Sequence, residues 1–309
     1  MKIFRSTQPL FSGVQEGAVV LVAENFGHGE VSAVSRAEYS KASSMFRAIK
    51  SGHSSRARTV PERTTTGAVP EHNMLSDIIT VRIGAVTGDG RYFLLSENRR
   101  RELELPTAAL VPTISRASHL ESAEVTRSQW ERLRDAGDRV WLFRPSKACL
   151  HNQAVRRYLD LAADNGGCNR DALHVRRRGD NWFRVKLPKK PHGFVTGMGR
   201  FSPWISLNRD DAMTATNTLY AIRFNNDIDI ATRSAWAMML FTDVVQEQLE
   251  HVLRRYPDGL VKIEPGDFGR LRVPTPRRTT GALSAYRDAV ESVKAGEMKR
   301  ATRLATKFL

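Results

Sequence analysis

Residues 173–187 read LHVRRRGDNWFRVKL, and the fold of this stretch decides which side chains face solvent. On two strands, Leu173, Val175, Phe183, Val185 and Leu187 all fall on one face, because strand side chains alternate with period two. Gly179-Asp180-Asn181 then forms a three-residue turn of residues that tolerate positive φ. The register pairs Arg178 with Trp182, Arg176 with Arg184, and His174 with Lys186. A two-residue turn would mix charges into the apolar face. The spacing therefore predicts a hairpin whose outer face carries four cations, an indole and an imidazole. Arg176 directly opposite Arg184 is destabilising until an anion sits between them.

The rest of the chain is basic in the same way. Lys plus Arg number 48 against 33 Asp plus Glu, a formal charge of +15 over 309 residues. Such an excess speaks to polyanion affinity and association rate. Arginines recur in clusters at Arg99–Arg101, Arg132 with Arg134, Arg156-Arg157, Arg254-Arg255 and Arg277-Arg278. The planar guanidinium grips a phosphate or a guanine edge bidentately through a rigid fork, where lysine is a point charge with rotating donors. Engaging the four hairpin cations alone predicts a slope of log K against log salt of about −3.6.

No apolar run approaches the length of a membrane span. The start, MKIFRSTQPL, lacks the apolar core of a signal peptide. Cys149 and Cys168 are the only cysteines, which predicts a cytoplasmic protein without a disulfide framework. No His and Cys set has zinc-ligand spacing, so no metal is expected.

Along the chain, VQEGAVVLVA (14–23) reads as a strand buried on both faces. Phe26-Gly27-His28-Gly29 reads as a plain turn, since it lacks dinucleotide-loop spacing and a following acidic residue. Residues 51–69 are rich in Ser, Arg, Thr and Gly and read as a basic loop or linker. Ile78–Ile83 and Tyr92–Leu95 are predicted strands flanking the Thr87-Gly88-Asp89-Gly90 turn. Val140–Phe143, Trp204–Asn208 and Thr218–Phe224 are further strands. Asn152–Ala163 is a predicted helix stopped by Asn165-Gly166-Gly167, and Ile230–Arg255 is the longest helix candidate. Leu283, Tyr286, Val290 and Val293 form an amphipathic stripe that Ala301, Leu304 and Phe308 repeat.

No nucleophile elbow, P-loop or His-Glu-x-x-His occurs, so no catalytic residue is assigned. Asp210-Asp211 and Asp227 with Asp229 lie in polar, turn-like contexts and read as solvated loop ends.

Several segments, taken together and in order, resemble TaqI-like (gamma-type) adenine-N6 DNA methyltransferases and their fused restriction–modification enzymes. FSGVQEGAVVLVAENFGHG (11–29) resembles the strand region after their catalytic motif. VRIGAVTGDGRYFLLSENRRRELELP (81–106) resembles the opening of their target-recognition domain. NWFRVKLP (181–188), NTLYAIRF (217–224) and GLVKIEPGDFGRLRVPTP (259–276) resemble later parts, the last being the most specific. The Asn/Asp-Pro-Pro-Tyr/Phe motif that holds a flipped adenine is absent, as is the Gly-rich loop for S-adenosylmethionine.

The resemblance implies DNA recognition without catalysis in this chain. The expected fold is α+β. Residues 1–50 would be the terminal part of a methyltransferase-like α/β domain, 51–73 a basic linker, 74–276 a β-rich target-recognition domain, and 277–309 a helical C-terminal region. Partners would be double-stranded DNA and a companion catalytic subunit carrying S-adenosylmethionine, with an incomplete N-terminal sheet edge for that companion to meet. Arg176, Arg178, Arg184, Lys186, Lys189, Lys190 and Arg200 would contact phosphate or guanine, Trp182 would stack or wedge, and Asn208 and Arg209 would reach base edges. Two other classes fit the same residues: an enzyme with an unrecognised active site, and a non-catalytic regulator of a defence system.

Overall fold

The computed structural model describes residues 2–6, 19–22, 35–51, 72–209, 213–256 and 258–309. The turn at 26–29, most of the 51–73 linker, and Asp210-Asp211 lie outside the described residues. Helices and several sheets are mixed, an α+β fold. Among the described residues no helix is long and apolar enough to cross a membrane. Two compact units form, Met1–Val69 with Leu253–Lys262, and Pro70–Val252 with Ile263–Leu309.

In the first unit, Lys2–Ser6 is the middle strand of three, antiparallel to Val19–Val22 and parallel to Ser35–Tyr39. The strand expected at 14–23 is present over its last residues. The Ala42–Ser51 helix packs on this sheet, and Phe4 and Met45 are fully buried.

The second unit is built around a five-stranded sheet. Leu219–Phe224 pairs antiparallel with both Ile79–Ile83 and Gly193–Thr196. Gly193–Thr196 continues to Ser206–Asn208, which lies parallel to Glu124–Val125. Ile79–Ile83 is thus an edge strand. Gly84 follows it where a Cβ would sit 2.1 Å from the Thr216 carbonyl oxygen, so only glycine lets the backbones approach there. A second, four-stranded sheet of Thr214–Ala215, Leu110–Ile114, Trp141–Phe143 and Leu94–Leu95 packs into the same core.

The C-terminal helices, Ala282–Lys294 and Met298–Thr306, sit inside this unit. Tyr286, Val290 and Val293 are buried as the stripe requires, and Leu283 is half-buried. The Tyr286 hydroxyl accepts from Ile205 N at 3.0 Å and donates to Ile205 O at 2.8 Å.

Three expectations are corrected. Tyr92–Leu95 is not one strand: Gly90–Phe93 is a helical turn, because the Asp89 carboxylate caps Arg91 N and Tyr92 N, and the strand begins at Leu94. Ile230–Arg255 is not one helix. It breaks into Ile230–Met238, Met239–Phe241 and Asp243–Val252, with Thr242 extended between the last two. Ala237 through Thr242 are all buried, so the break lies inside the core, where the Thr242 hydroxyl donates to Met239 O at 2.7 Å.

The largest correction is at 173–187, where there is no hairpin. Leu173–Arg176 is a helical turn, Gly179–Asn181 is a 3₁₀ turn, and the chain then runs on without a strand. The proposed stripe is split: Val175 and Val185 are fully buried, whereas Leu173 is 47% exposed. The indole accounts for the difference. Trp182 packs 5.7 Å from the Tyr92 ring and 6.3 Å from Phe93, with the Arg170 guanidinium 4.6 Å above it. Drawing that ring inward satisfies more apolar area than an unpartnered ladder would.

Two outcomes follow from this packing. Trp182→Ala should lower stability by about 2–4 kcal/mol in urea unfolding. Glu97 is buried beside Arg100, whose side chain hydrogen-bonds it at 2.7 and 2.9 Å; Trp141 Nε1 and Arg101 also donate to it. The Arg100 hydrogen bonds, with help from Trp141 and Arg101, hold its carboxyl down at about 2. A depressed carboxyl gives stability above its unfolded pKa of about 4.5 that is lost as pH falls through about 2. Glu97→Gln should therefore be less stable by about 2–3 kcal/mol at neutral pH, and the difference from the parent should shrink below pH 4.5 in a urea series over pH 7 to 2.

Candidate nucleic-acid interface

The strand edge and the corrected 173–190 segment together form a groove of about 870 Å³. Its floor is the outer face of the Ile79–Ile83 and Leu219–Phe224 ribbon. Register places Arg82 opposite Ala221 and Thr80 opposite Arg223, so all four lie on that face. Its wall is His174, Arg177, Arg178 and the run Lys186 to Lys189, with Pro191 beyond. Ile83, Gly84 and Val86 line it as well.

Six cations line this space, Arg82, Arg177, Arg178, Lys186, Lys189 and Arg223, and none of its lining residues is Asp or Glu. The wall is fixed from behind. Arg178 donates through Nε to His174 O at 2.9 Å and through Nη2 to Thr87 O, and its guanidinium lies 5.0 Å over the Phe93 ring. Its Nη1 is buried without a hydrogen-bond partner, and burial pulls the guanidinium below its usual range. Arg144 Nε donates to Val185 O at 2.7 Å and pins the coil before Lys186. Arg223 Nη1 donates to Lys190 O at 3.3 Å and ties floor to wall.

The ten residues expected from sequence are distributed as follows. Arg178, Lys186 and Lys189 line the groove. Arg176, Lys190 and Arg200 are exposed, and Arg184 is half-buried, all outside its lining. Trp182 lies in the aromatic cluster behind the wall. Asn208 is fully buried, its Nδ2 donating to Pro191 O at 2.8 Å and Met213 O at 3.0 Å, an internal strut. Arg209 is paired with Glu124 at 3.1 Å. Arg82, Arg177 and Arg223 were missed as site residues. The signal for the first and last was a lone arginine in each of two apolar strand segments, ITVRI and LYAIRF.

A second pocket, of about 730 Å³, is lined by Asp89, Tyr92, Arg99, Tyr158, Gly166 and Asn169 among others. Its Asp89 carboxylate accepts from Arg91 N, Tyr92 N and Asn169 N. The Tyr92 and Tyr158 hydroxyls donate to each other's carbonyl oxygen. Among the described residues no three His, Cys, Asp or Glu side chains converge as a metal site.

Comparison with known proteins gives a family. Residues 63–308 match the family described as Type II methyltransferase M.Eco57I, C-terminal domain. The Type II methyltransferase M.AccI of Acinetobacter calcoaceticus is 24% identical over 192 residues, which is 60% of this chain and 34% of that protein. The type IIG restriction endonuclease BpuSI is 12% identical with a TM-score of 0.48, covering 76% of this chain and 30% of its own. The chain thus spans about a third of the length of these relatives.

Proposed function

The chain belongs to the family of the M.Eco57I-type methyltransferase C-terminal domain, and from that premise we propose that it recognises duplex DNA for an adenine-N6 methyltransferase of a restriction–modification system. The TaqI-like, gamma-type assignment belongs to this proposal and rests on the segment resemblances above. The observation that carries the DNA reading is the groove itself, with six cations and no carboxylate among its lining residues. Like charges crowded on one surface repel each other, and a polyanion turns that repulsion into attraction.

The groove's residues divide by what they have left to offer. Arg178 and Arg223 have part of their fork committed to backbone carbonyls and serve chiefly as fixed positive charge. Arg177, Lys186 and Lys189 stand on the wall and meet phosphates there, releasing counterions from the duplex. Phosphate contacts set register and orientation on the duplex without reading sequence.

Methyl transfer we place on a companion chain. S-adenosylmethionine supplies the methyl group when bound there, and no step of this chain's chemistry is assigned to it.

The reading is tested by fluorescence anisotropy of the purified chain on a labelled duplex over a range of KCl. The slope of log K against log salt should lie between about −2.7 and −5.4, for three to six neutralised phosphates. Arg177→Ala with Lys186→Ala should make it shallower by about 1.8. Affinity that ignores salt, or a double variant with the parent slope, removes the groove from the interface.

A further inference from the structure

We infer that Arg82 is the residue of this groove that reads a base, and that the edge it takes is the major-groove edge of guanine. The inference rests on the DNA reading above and goes further, from charge to sequence.

Position separates Arg82 from the other cations. Its backbone belongs to a ladder in which all five residues Ile79 to Ile83 face partners on Leu219–Phe224. Arg177, Lys186 and Lys189 stand on turns and coil. A side chain on a paired strand is held more closely in place than one on a loop, and reading a base demands that placement. Across the ladder stands Ala221, a small buried residue whose methyl group adds little bulk beside the Arg82 side chain. Arg223 shares the strand face but donates to Lys190 O, and Arg178 donates to Thr87 O and His174 O. The Arg82 side chain has no hydrogen-bond or ion-pair partner among the described residues, so its whole fork is available.

The surroundings fit a base better than a phosphate alone. Ile83, 54% exposed, lines the same groove with Val86, Leu187 and Pro188. A phosphate offers nothing to such apolar surface, whereas base edges and sugars do. Guanine presents two acceptors, N7 and O6, at the spacing of the guanidinium fork. Adenine presents N7 beside the N6 amino donor, and cytosine an amino donor, which an all-donor side chain cannot accept.

The test is selection of a random duplex library on the full chain at about physiological salt, repeated with Arg82→Ala and Arg82→Lys. Arg82 is exposed on its strand, and the lysine variant keeps the charge while removing the fork. The parent should enrich a motif containing guanine. Arg82→Ala should lose preference at one guanine position only, with about 5- to 150-fold weaker binding of the parent's motif, while Arg82→Lys should keep the salt slope and discriminate that guanine less sharply than the parent. Uniform weakening on all sequences, or an alanine variant that keeps the guanine preference, would make Arg82 a phosphate contact and overturn the inference. Salt-dependent binding with no motif in the parent overturns it too, while leaving the cationic groove as the DNA site. Absence of salt-dependent binding removes both.

Discussion

Two tyrosines holding each other set the frame for everything around the groove. The Tyr92 hydroxyl donates to Tyr158 O at 3.1 Å and the Tyr158 hydroxyl to Tyr92 O at 2.6 Å, with the rings stacked 4.5 Å apart and 4° from parallel. Burial pushes both phenols well above their usual range, so they stay neutral donors. Reciprocal bonds of this kind satisfy two buried hydroxyls and two carbonyls at once, each of which would cost about 1–3 kcal/mol unpaired. Phe143 meets both rings edge-on, and Trp182 leans on Tyr92. The stack therefore joins the turn after Asp89, the Gln153–Leu159 helix and the 173–187 segment. The groove wall stands where it does because its back is locked to that stack.

Sequence made much of the frame legible and little of this lock. Ile79–Ile83, Trp141–Phe143 and Leu219–Phe224 announce themselves as apolar or alternating runs bounded by turns, and they are strands. The stripe of Tyr286, Val290 and Val293 announces a helix for the same reason. At 173–187 the period-two pattern was present and misleading. Apolar residues that spacing puts on one strand face can also be brought inward by short helical turns. What chose between them was the pair Tyr92 and Phe93, some ninety residues earlier in the chain, and no local window contains that contact. The site was half legible for a related reason. Lys186, Lys189 and Arg178 stand in a visible charge cluster, whereas Arg82 and Arg223 are single cations in separate strands. Only the pairing of Arg82 with Ala221, and of Thr80 with Arg223, brings them to one face.

Net charge alone would have placed the site poorly, since much of the arginine is neutralised where it stands. Arg100 and Arg101 surround Glu97, Arg209 and Arg287 share Glu124, and Arg127 meets Glu131. The exposed pair among these, Arg127 with Glu131, adds little stability, a fraction of a kcal/mol to about 1. The consequence of all these pairs is in the field. They cancel charge over much of the unit and leave the groove, with no carboxylate in its lining, as a place where charge of one sign accumulates.

That groove joins two kinds of support. Its floor is backbone ladder, fixed by hydrogen bonds that no ligand needs to form. Its wall is coil, held at Val185 O by Arg144, at Thr87 and His174 by Arg178, and at Lys190 by Arg223. A wall pinned at separate points keeps its cations apart against their own repulsion before any anion arrives, so less ordering is left to oppose binding. Its long lysine side chains can still follow the varying path of a phosphate backbone. A floor that cannot adapt suits a contact whose geometry must discriminate, and a wall that can adapt suits contacts that only attract. The division between reading and holding DNA thus follows from which part of the groove is sheet and which is coil.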